Sequence, residues 1–137
     1  MLYKEGGVNI MITLKIFGES EYGNDVEEKT GRGMHFIVNG WLLSAQAGWG
    51  SYCSADPTRS HCKLTGDTVR TDCEIALWNT KDNNMIILDE EIVMGYVKWD
   101  MVFDIIEWLR KQKSIPTEKQ VRDKVLHLKK NYDSEEE

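Results

Sequence analysis

The alternation of apolar and polar residues predicts a half-buried strand near the start of the chain. Apolar side chains occupy every second position there: Val8, Ile10, Ile12, Leu14 and Ile16. This period of two matches the alternation of side chains between the faces of a sheet. Two more strands, residues 35–38 and 41–47, flank Asn39-Gly40, the dipeptide most typical of a tight hairpin turn because both residues accept positive φ.

The same pattern predicts a second hairpin, residues 73–79 and 85–88, and a short strand at 92–97. The period then becomes helical. Two apolar stripes mark two helices: Val102, Ile105, Ile106 and Leu109, then Val121, Val125, Leu128 and Tyr132. Strands followed by helices predict an α+β fold, an antiparallel β-sheet of about five or six strands followed by two C-terminal α-helices.

The remaining segments are read as loops within a single domain of 137 residues. Residues 18–33 and 48–72 carry turn chemistry, and the acidic tail at 133–137 is expected to fray. The N-terminus has two interpretations. Lys4-Glu5-Gly6-Gly7 is what a purine-rich ribosome-binding site encodes when translated, so residues 1–10 can lie upstream of a true start at Met11.

Charge and hydropathy narrow the class of protein. The net charge of −6 and the pI near 5.1 argue against binding to duplex nucleic acid through a basic face. No apolar run approaches the roughly 18 residues that a membrane span needs. We therefore expect a cytoplasmic protein, without a membrane or duplex nucleic acid as partner.

The cysteines and histidines give weak support for a metal or for catalysis. Cys53, His61, Cys62 and Cys73 are suitable zinc ligands by type, but they lack the CxxC and HxxxH spacings of zinc sites. Ordinary loop and core cysteines are the favoured interpretation. There is also no phosphate-binding GxxxxGK[ST] or GxGxxG motif and no nucleophile elbow. We expect no metal, no cofactor and no enzymatic activity.

The loop after the first hairpin has the chemistry of a ligand site. Trp49 and Tyr52 are flanked by glycines and can present their rings for stacking on a base or sugar. Arg59 is the only lysine or arginine between Arg32 and Lys63, and a guanidinium in this loop can bind a phosphate. The alternatives left open are a loop that plugs the core, a subunit contact, and an arginine that only faces solvent.

Four sequence segments resemble a known family: NGW, SAQA…SYCS, EIALWN…MIILDE and GYVKWDMVFDIIEWL, within residues 34–112. This ordering is similar to the phage Thoeris anti-defence protein one family. The resemblance implies a small protein that sequesters glycocyclic ADP-ribose, a signal made by bacterial TIR-domain enzymes, without hydrolysing it. It also implies a homodimer or higher homo-oligomer, and in some members a separate site for cyclic oligonucleotides.

Binding in that family depends on an aromatic ring, an asparagine and arginines. The matching residues here are Trp78, Asn84 and Arg59, and a second arginine has no clear position. Together with the loop residues, the predicted ligand-binding set has three roles. Trp49, Tyr52 and Trp78 stack, Arg59 and Lys98 hold phosphates, and Ser51 and Asn84 orient the ligand.

The resulting hypothesis is a phage-type anti-defence protein that binds cyclic ADP-ribose-derived signalling nucleotides and blocks TIR-based immunity. Two other hypotheses stay open. One is a protein-binding inhibitor of a defence complex that uses its acidic surface to mimic nucleic acid, like an anti-CRISPR protein. The other is a small enzyme that degrades the same signals.

Overall fold

The computed structural model describes residues 2–5, 8–17, 31–48 and 72–135. It contains seven strands and two helices within these ranges. The strands are β1 (Leu2–Glu5), β2 (Val8–Phe17), β3 (Gly31–Val38), β4 (Trp41–Gly48), β5 (Asp72–Asn79), β6 (Asn84–Met85) and β7 (Met94–Lys98). The helices are α1 (Trp99–Lys111) and α2 (Glu118–Glu135). The predicted α+β fold, an antiparallel sheet followed by two C-terminal helices, is confirmed.

All the strands join one antiparallel sheet. Strands β1 to β5 lie in sequence order, and the far edge of β5 pairs with β6 at one end and β7 at the other. The sheet has one strand more than the expected five or six because of β1, where the sequence pattern predicted no strand. The predicted strand at 85–88 is wrong beyond Met85, where the chain leaves the ladder. Residues 88–93 form bends before β7 begins at Met94.

The Asn39-Gly40 turn has the predicted geometry. Its φ angles are +46° and +82°, both in the left-handed region that a two-residue hairpin turn requires. The turn pairs Val38 with Trp41 and so fixes the register of β3 against β4. A Cβ on Gly40 would lie 2.8 Å from Cγ2 of Ile115. Both this close contact and the positive φ therefore disfavour a larger residue at this position.

The core lies between one face of the sheet and the helices. From the sheet it contains Val38, Trp41, Leu43, Ile75 and Leu77, among others. The predicted stripe of α1 is buried as expected, together with Met101. In α2, Val121 and Val125 are fully buried, and Leu128 and Tyr132 pack partly against the core. Pleating then directs alternate residues of β3–β6 to the opposite side, which we call the outer face.

Local side chains cap the start of α2, whereas Lys98 at the start of α1 makes no side-chain cap hydrogen bond. Thr117 and Gln120 form a capping box at the start of α2: Thr117 N–H donates to Gln120 Oε1 (2.9 Å) and Gln120 N–H donates to Thr117 Oγ1 (3.2 Å). Asp100 in the first turn of α1, and Arg110 and Lys111 in its last turn, suit the helix dipole. The tail differs from expectation, since α2 stays helical through Glu135. Neither helix is long and apolar enough to cross a membrane, among the residues described.

Candidate functional site

The outer face carries an aromatic pair that crosses three strands. Trp78 of β5 and His35 of β3 have ring centroids 6.3 Å apart, tilted by 45°. Between them lies β4, where Ser44 is opposite both His35 and Ala76. Serine and alanine have short side chains, so two larger rings can meet above the middle strand. We call His35 and Trp78 the aromatic pair.

Apolar and polar residues separate along the outer face. Next to the aromatic pair, Ile37, Leu42 and Met85 share a row with Trp78. Further along the strands, Gln46 is paired with Glu74, and Gln46 Nε2 donates to Ser44 Oγ at 3.2 Å. The face therefore offers a partly exposed ring bordered by apolar groups on one side and hydrogen-bonding groups on the other. This combination suits a flat heterocycle with polar edges.

Lys98, the predicted phosphate ligand on β7, lies at the other end of β5. It is the register partner of Asp72, six residues from Trp78 along the strand. At the rise of an antiparallel strand this separation is about 20 Å. One small ligand can contact both Lys98 and Trp78 only if it lies extended along β5.

Asn84 occupies a different place from Trp78. It pairs with Asn79, whereas Trp78 pairs with Met85, so pleating directs Asn84 and Trp78 to opposite faces of the sheet. Asn84 lines a groove of about 360 Å³ at the start of α2, with Asn79, Asp82, Met85, Ile86 and Glu118. The structure thus does not bring these two predicted site residues together.

The groove beside Asn84 is lined by two carboxylates, those of Asp82 and Glu118. Asp82 Oδ1 accepts from Asn84 N–H (3.1 Å), and Glu118 Oε1 pairs with the Arg122 guanidinium (3.0 Å). Two carboxylates make this groove unfavourable for a phosphate. Asn79 and Asn83 act as turn formers. Asn79 Oδ1 accepts from Lys81 N–H (2.9 Å), and Asn83 has a φ of +59°.

Four predicted site residues lie outside the residues that the structure describes: Trp49, Ser51, Tyr52 and Arg59. The same is true of three of the residues weighed as zinc ligands: Cys53, His61 and Cys62. The fourth, Cys73, is buried in β5, where its thiol donates to the Val97 carbonyl (3.4 Å). Cys73 therefore behaves as a core cysteine, in line with the favoured interpretation.

The sequence reasoning missed His35, although the signal was present. A two-residue turn at Asn39-Gly40 fixes the pairing of β3 with β4, which puts His35 opposite Ser44 and on the face away from Trp41. What the turn leaves open is the register of β5, because 23 residues separate β4 from β5. No tight turn therefore connects His35 to Trp78.

The comparisons with known proteins add no relative. No protein family, no curated protein and no solved structure matches this chain.

Proposed function

We propose that the protein binds a nucleotide-derived signalling molecule and sequesters it without cleaving it. The biological role proposed with this activity is anti-defence in a phage-infected bacterium, with cyclic ADP-ribose-derived signals of TIR-domain enzymes as the ligand class. The observation that carries the binding proposal is the aromatic pair, with the Trp78 indole partly exposed on the outer face and the His35 ring beside it.

The outer face supplies the two kinds of contact that a nucleotide needs. Stacking of a base on an aromatic ring contributes about 1–3 kcal/mol. Polar groups further along the outer face, from Gln46 and Glu74, can receive the distal hydrogen-bonding groups of the ligand, such as a ribose hydroxyl. Because these side chains stand on paired strands rather than on a loop, little ordering entropy opposes binding.

Sequestration sets a demand on affinity. A protein that removes a signal from its receptor needs a dissociation constant near the nanomolar range, about −12 kcal/mol. The aromatic pair supplies a minor part of that, so the proposal assigns the phosphate contacts to cationic residues. Arg59 remains the proposed phosphate ligand from the loop, with Trp49, Ser51 and Tyr52 as its proposed companions.

Depletion followed by release tests this proposal. The protein is mixed with glycocyclic ADP-ribose, the free ligand is measured, and the protein is then denatured by heat. The expected result is that free ligand disappears and returns chemically intact. A changed product would establish an enzyme, and no depletion of this or any other cyclic nucleotide messenger would reject the proposal.

Two matched variants locate the site. Trp78→Ala is expected to weaken binding by about 5- to 150-fold, the equivalent of one lost stack. Phe103→Ala removes an aromatic ring that is 53% exposed on α1, which packs on the other side of the sheet. It should leave binding unchanged. Equal affinity of Trp78→Ala and wild type would exclude the aromatic pair as the binding site.

A second candidate, inhibition of a defence protein by direct contact, is favoured by the outer side of α1. Phe103 stands there among three exposed carboxylates: Asp100, Asp104 and Glu107. Their spacing of three and four residues puts them on one stripe of the helix. Glu107 pairs with Arg110 and Lys111, so Asp100 and Asp104 give this stripe its acidic character, which suits a basic protein surface. If this stripe is the functional site, Phe103→Ala abolishes inhibition in cells and the protein depletes no nucleotide.

A further inference from the structure

The side chain of Asn39 joins two distant parts of the fold. Its Nδ2 donates to the carbonyl oxygens of Leu109 (2.9 Å) and Gln112 (3.1 Å), and lies 3.4 Å from that of Ser114. A carboxamide nitrogen has two hydrogens, so the longest contact is at best a shared one. Every contact is with the end of α1 or the segment that follows it. Asn39 thus fastens the hairpin turn to the helix terminus.

The residue after Asn39 exposes the Asn39 side-chain amide to an intramolecular reaction. Gly40 has no side chain to shield its backbone nitrogen, which can attack Cγ of the preceding asparagine. In that reaction the Gly40 N–Asn39 Cγ bond forms, the Cγ–Nδ2 bond breaks, and ammonia leaves with a proton taken from the Gly40 amide. Water then opens the succinimide ring to aspartate or isoaspartate. The net change is consumption of one water and loss of one ammonia, and no oxidant or cofactor is needed.

We propose that Asn39-Gly40 is a spontaneous deamidation site that the native fold protects and whose conversion releases the end of α1. Protection follows from the geometry. The leaving nitrogen is held by carbonyl acceptors, and the carboxamide is directed at residues about 70 positions along the chain. Loss of this nitrogen as ammonia requires its hydrogen bonds to the two carbonyls to break first.

Release follows from the product. Aspartate has no N–H to donate, and its carboxylate would face the same carbonyl oxygens at the negative end of the α1 dipole. Both changes oppose reclosure of the turn. Isoaspartate adds a methylene to the backbone inside a two-residue turn, which disrupts the pairing of Val38 with Trp41. The modification is therefore effectively one-way, and it marks aged copies of the protein.

The test compares the same chain folded and unfolded. Wild-type protein is held at mildly alkaline pH, with and without guanidinium, and conversion of Asn39 is followed by mass spectrometry of the peptide that contains it. Because at least two hydrogen bonds must open first, we expect conversion in the folded protein to be at least about tenfold slower. Equal rates in the two samples would overturn the protective role of these contacts.

The second measurement concerns the product. The deamidated fraction is separated by its extra negative charge, and hydrogen exchange of residues 105–116 is compared with that of unmodified protein from the same sample. Faster exchange confined to this segment and the hairpin turn is expected. Unchanged exchange would overturn release of α1. This outcome does not depend on whether an engineered Asn39→Asp variant folds.

Discussion

The Asn39 side chain donates to the Leu109 carbonyl at 2.9 Å and thereby closes the C-terminus of α1 from the tip of the β3–β4 hairpin. The residue that ends the helix is Gln112 and not a glycine, and its backbone is extended. Gln112 Nε2 donates to Trp108 O (3.1 Å), so two of the last four carbonyls of α1 accept from side-chain amides. One asparagine therefore sets a hairpin turn and ends a helix.

Replacement of Asn39 by glycine tests this contact. Glycine keeps the positive φ of the turn and removes the donor, so the expected loss is about 1–3 kcal/mol for the two hydrogen bonds that Asn39 Nδ2 makes. Denaturant unfolding monitored by circular dichroism measures it. Asn83→Gly is the control because Asn83 also has a positive φ but lies in an exposed turn. A similar loss in both variants would show that the turn, and not the helix contact, determines the effect.

Trp41 provides a second connection between the same two regions. Its indole Nε1–H donates to the Pro116 carbonyl at 3.0 Å, and the whole side chain is buried. In Trp41→Phe the carbonyl loses its donor and part of the ring volume becomes a cavity, so we expect a loss of about 2–4 kcal/mol.

The control for Trp41 is Trp108→Phe, at a side chain that is only partly buried at the edge of the core. Its expected cost is below about 1.5 kcal/mol, because a partly exposed site retains little of a cavity. Chemical denaturation of the two variants compares them directly. Equal losses of stability in the two variants would mean that the hydrogen bond from Trp41 to the Pro116 carbonyl does not add to the cost of the substitution.

Much of this fold follows from local sequence, and the exceptions have a physical cause. The Asn39-Gly40 turn and the buried stripe of α1 are encoded by residues that are neighbours in the chain or on one helix face. The contact of Asn39 with Leu109 is not, because it joins residues 70 positions apart and depends on where the packed helix ends. The strand predicted at 85–88 is wrong because Leu88 turns to bond with Glu91: its N–H donates to the Glu91 carbonyl at 2.8 Å.

The candidate site was less accessible to sequence reasoning. The family resemblance identified Trp78 as a stacking ring, but its neighbour His35 depends on how β5 aligns with β4. The same resemblance placed Asn84 in one site with Trp78. The strand period separates them, since adjacent pairs in a ladder alternate between faces.

Tyr132 connects α2 to α1 through Asp104, and this contact predicts that the stability of the fold falls at alkaline pH. Its hydroxyl donates to the Asp104 carboxylate, which, with some desolvation, raises the pKa of Tyr132 from 10.0 to about 12. The folded state thus favours the protonated phenol. This contribution to stability is complete below pH 10 and is lost as the pH rises toward 12.

The titration of tyrosinate absorbance, taken as the difference between wild type and Tyr132→Phe, measures that pKa. In Asp104→Asn the hydrogen bond loses its charged acceptor, so the pKa of Tyr132 should fall back toward 10.0. A midpoint that stays at about 12 in Asp104→Asn would mean that burial, and not the carboxylate, causes the shift.

The opposite orientations of Trp78 and Asn84 predict that the two residues act independently on ligand binding. If the nucleotide stacks on the outer face, Trp78→Ala lowers affinity by about 5- to 150-fold. Asn84→Ala should leave affinity unchanged, because its groove lies on the other side of the sheet and presents the carboxylates of Asp82 and Glu118. Calorimetry with glycocyclic ADP-ribose on each variant and on the double variant measures both effects. A loss in Asn84→Ala that matches the loss in Trp78→Ala would move the binding site to the edge of the sheet at β6, where the two faces meet.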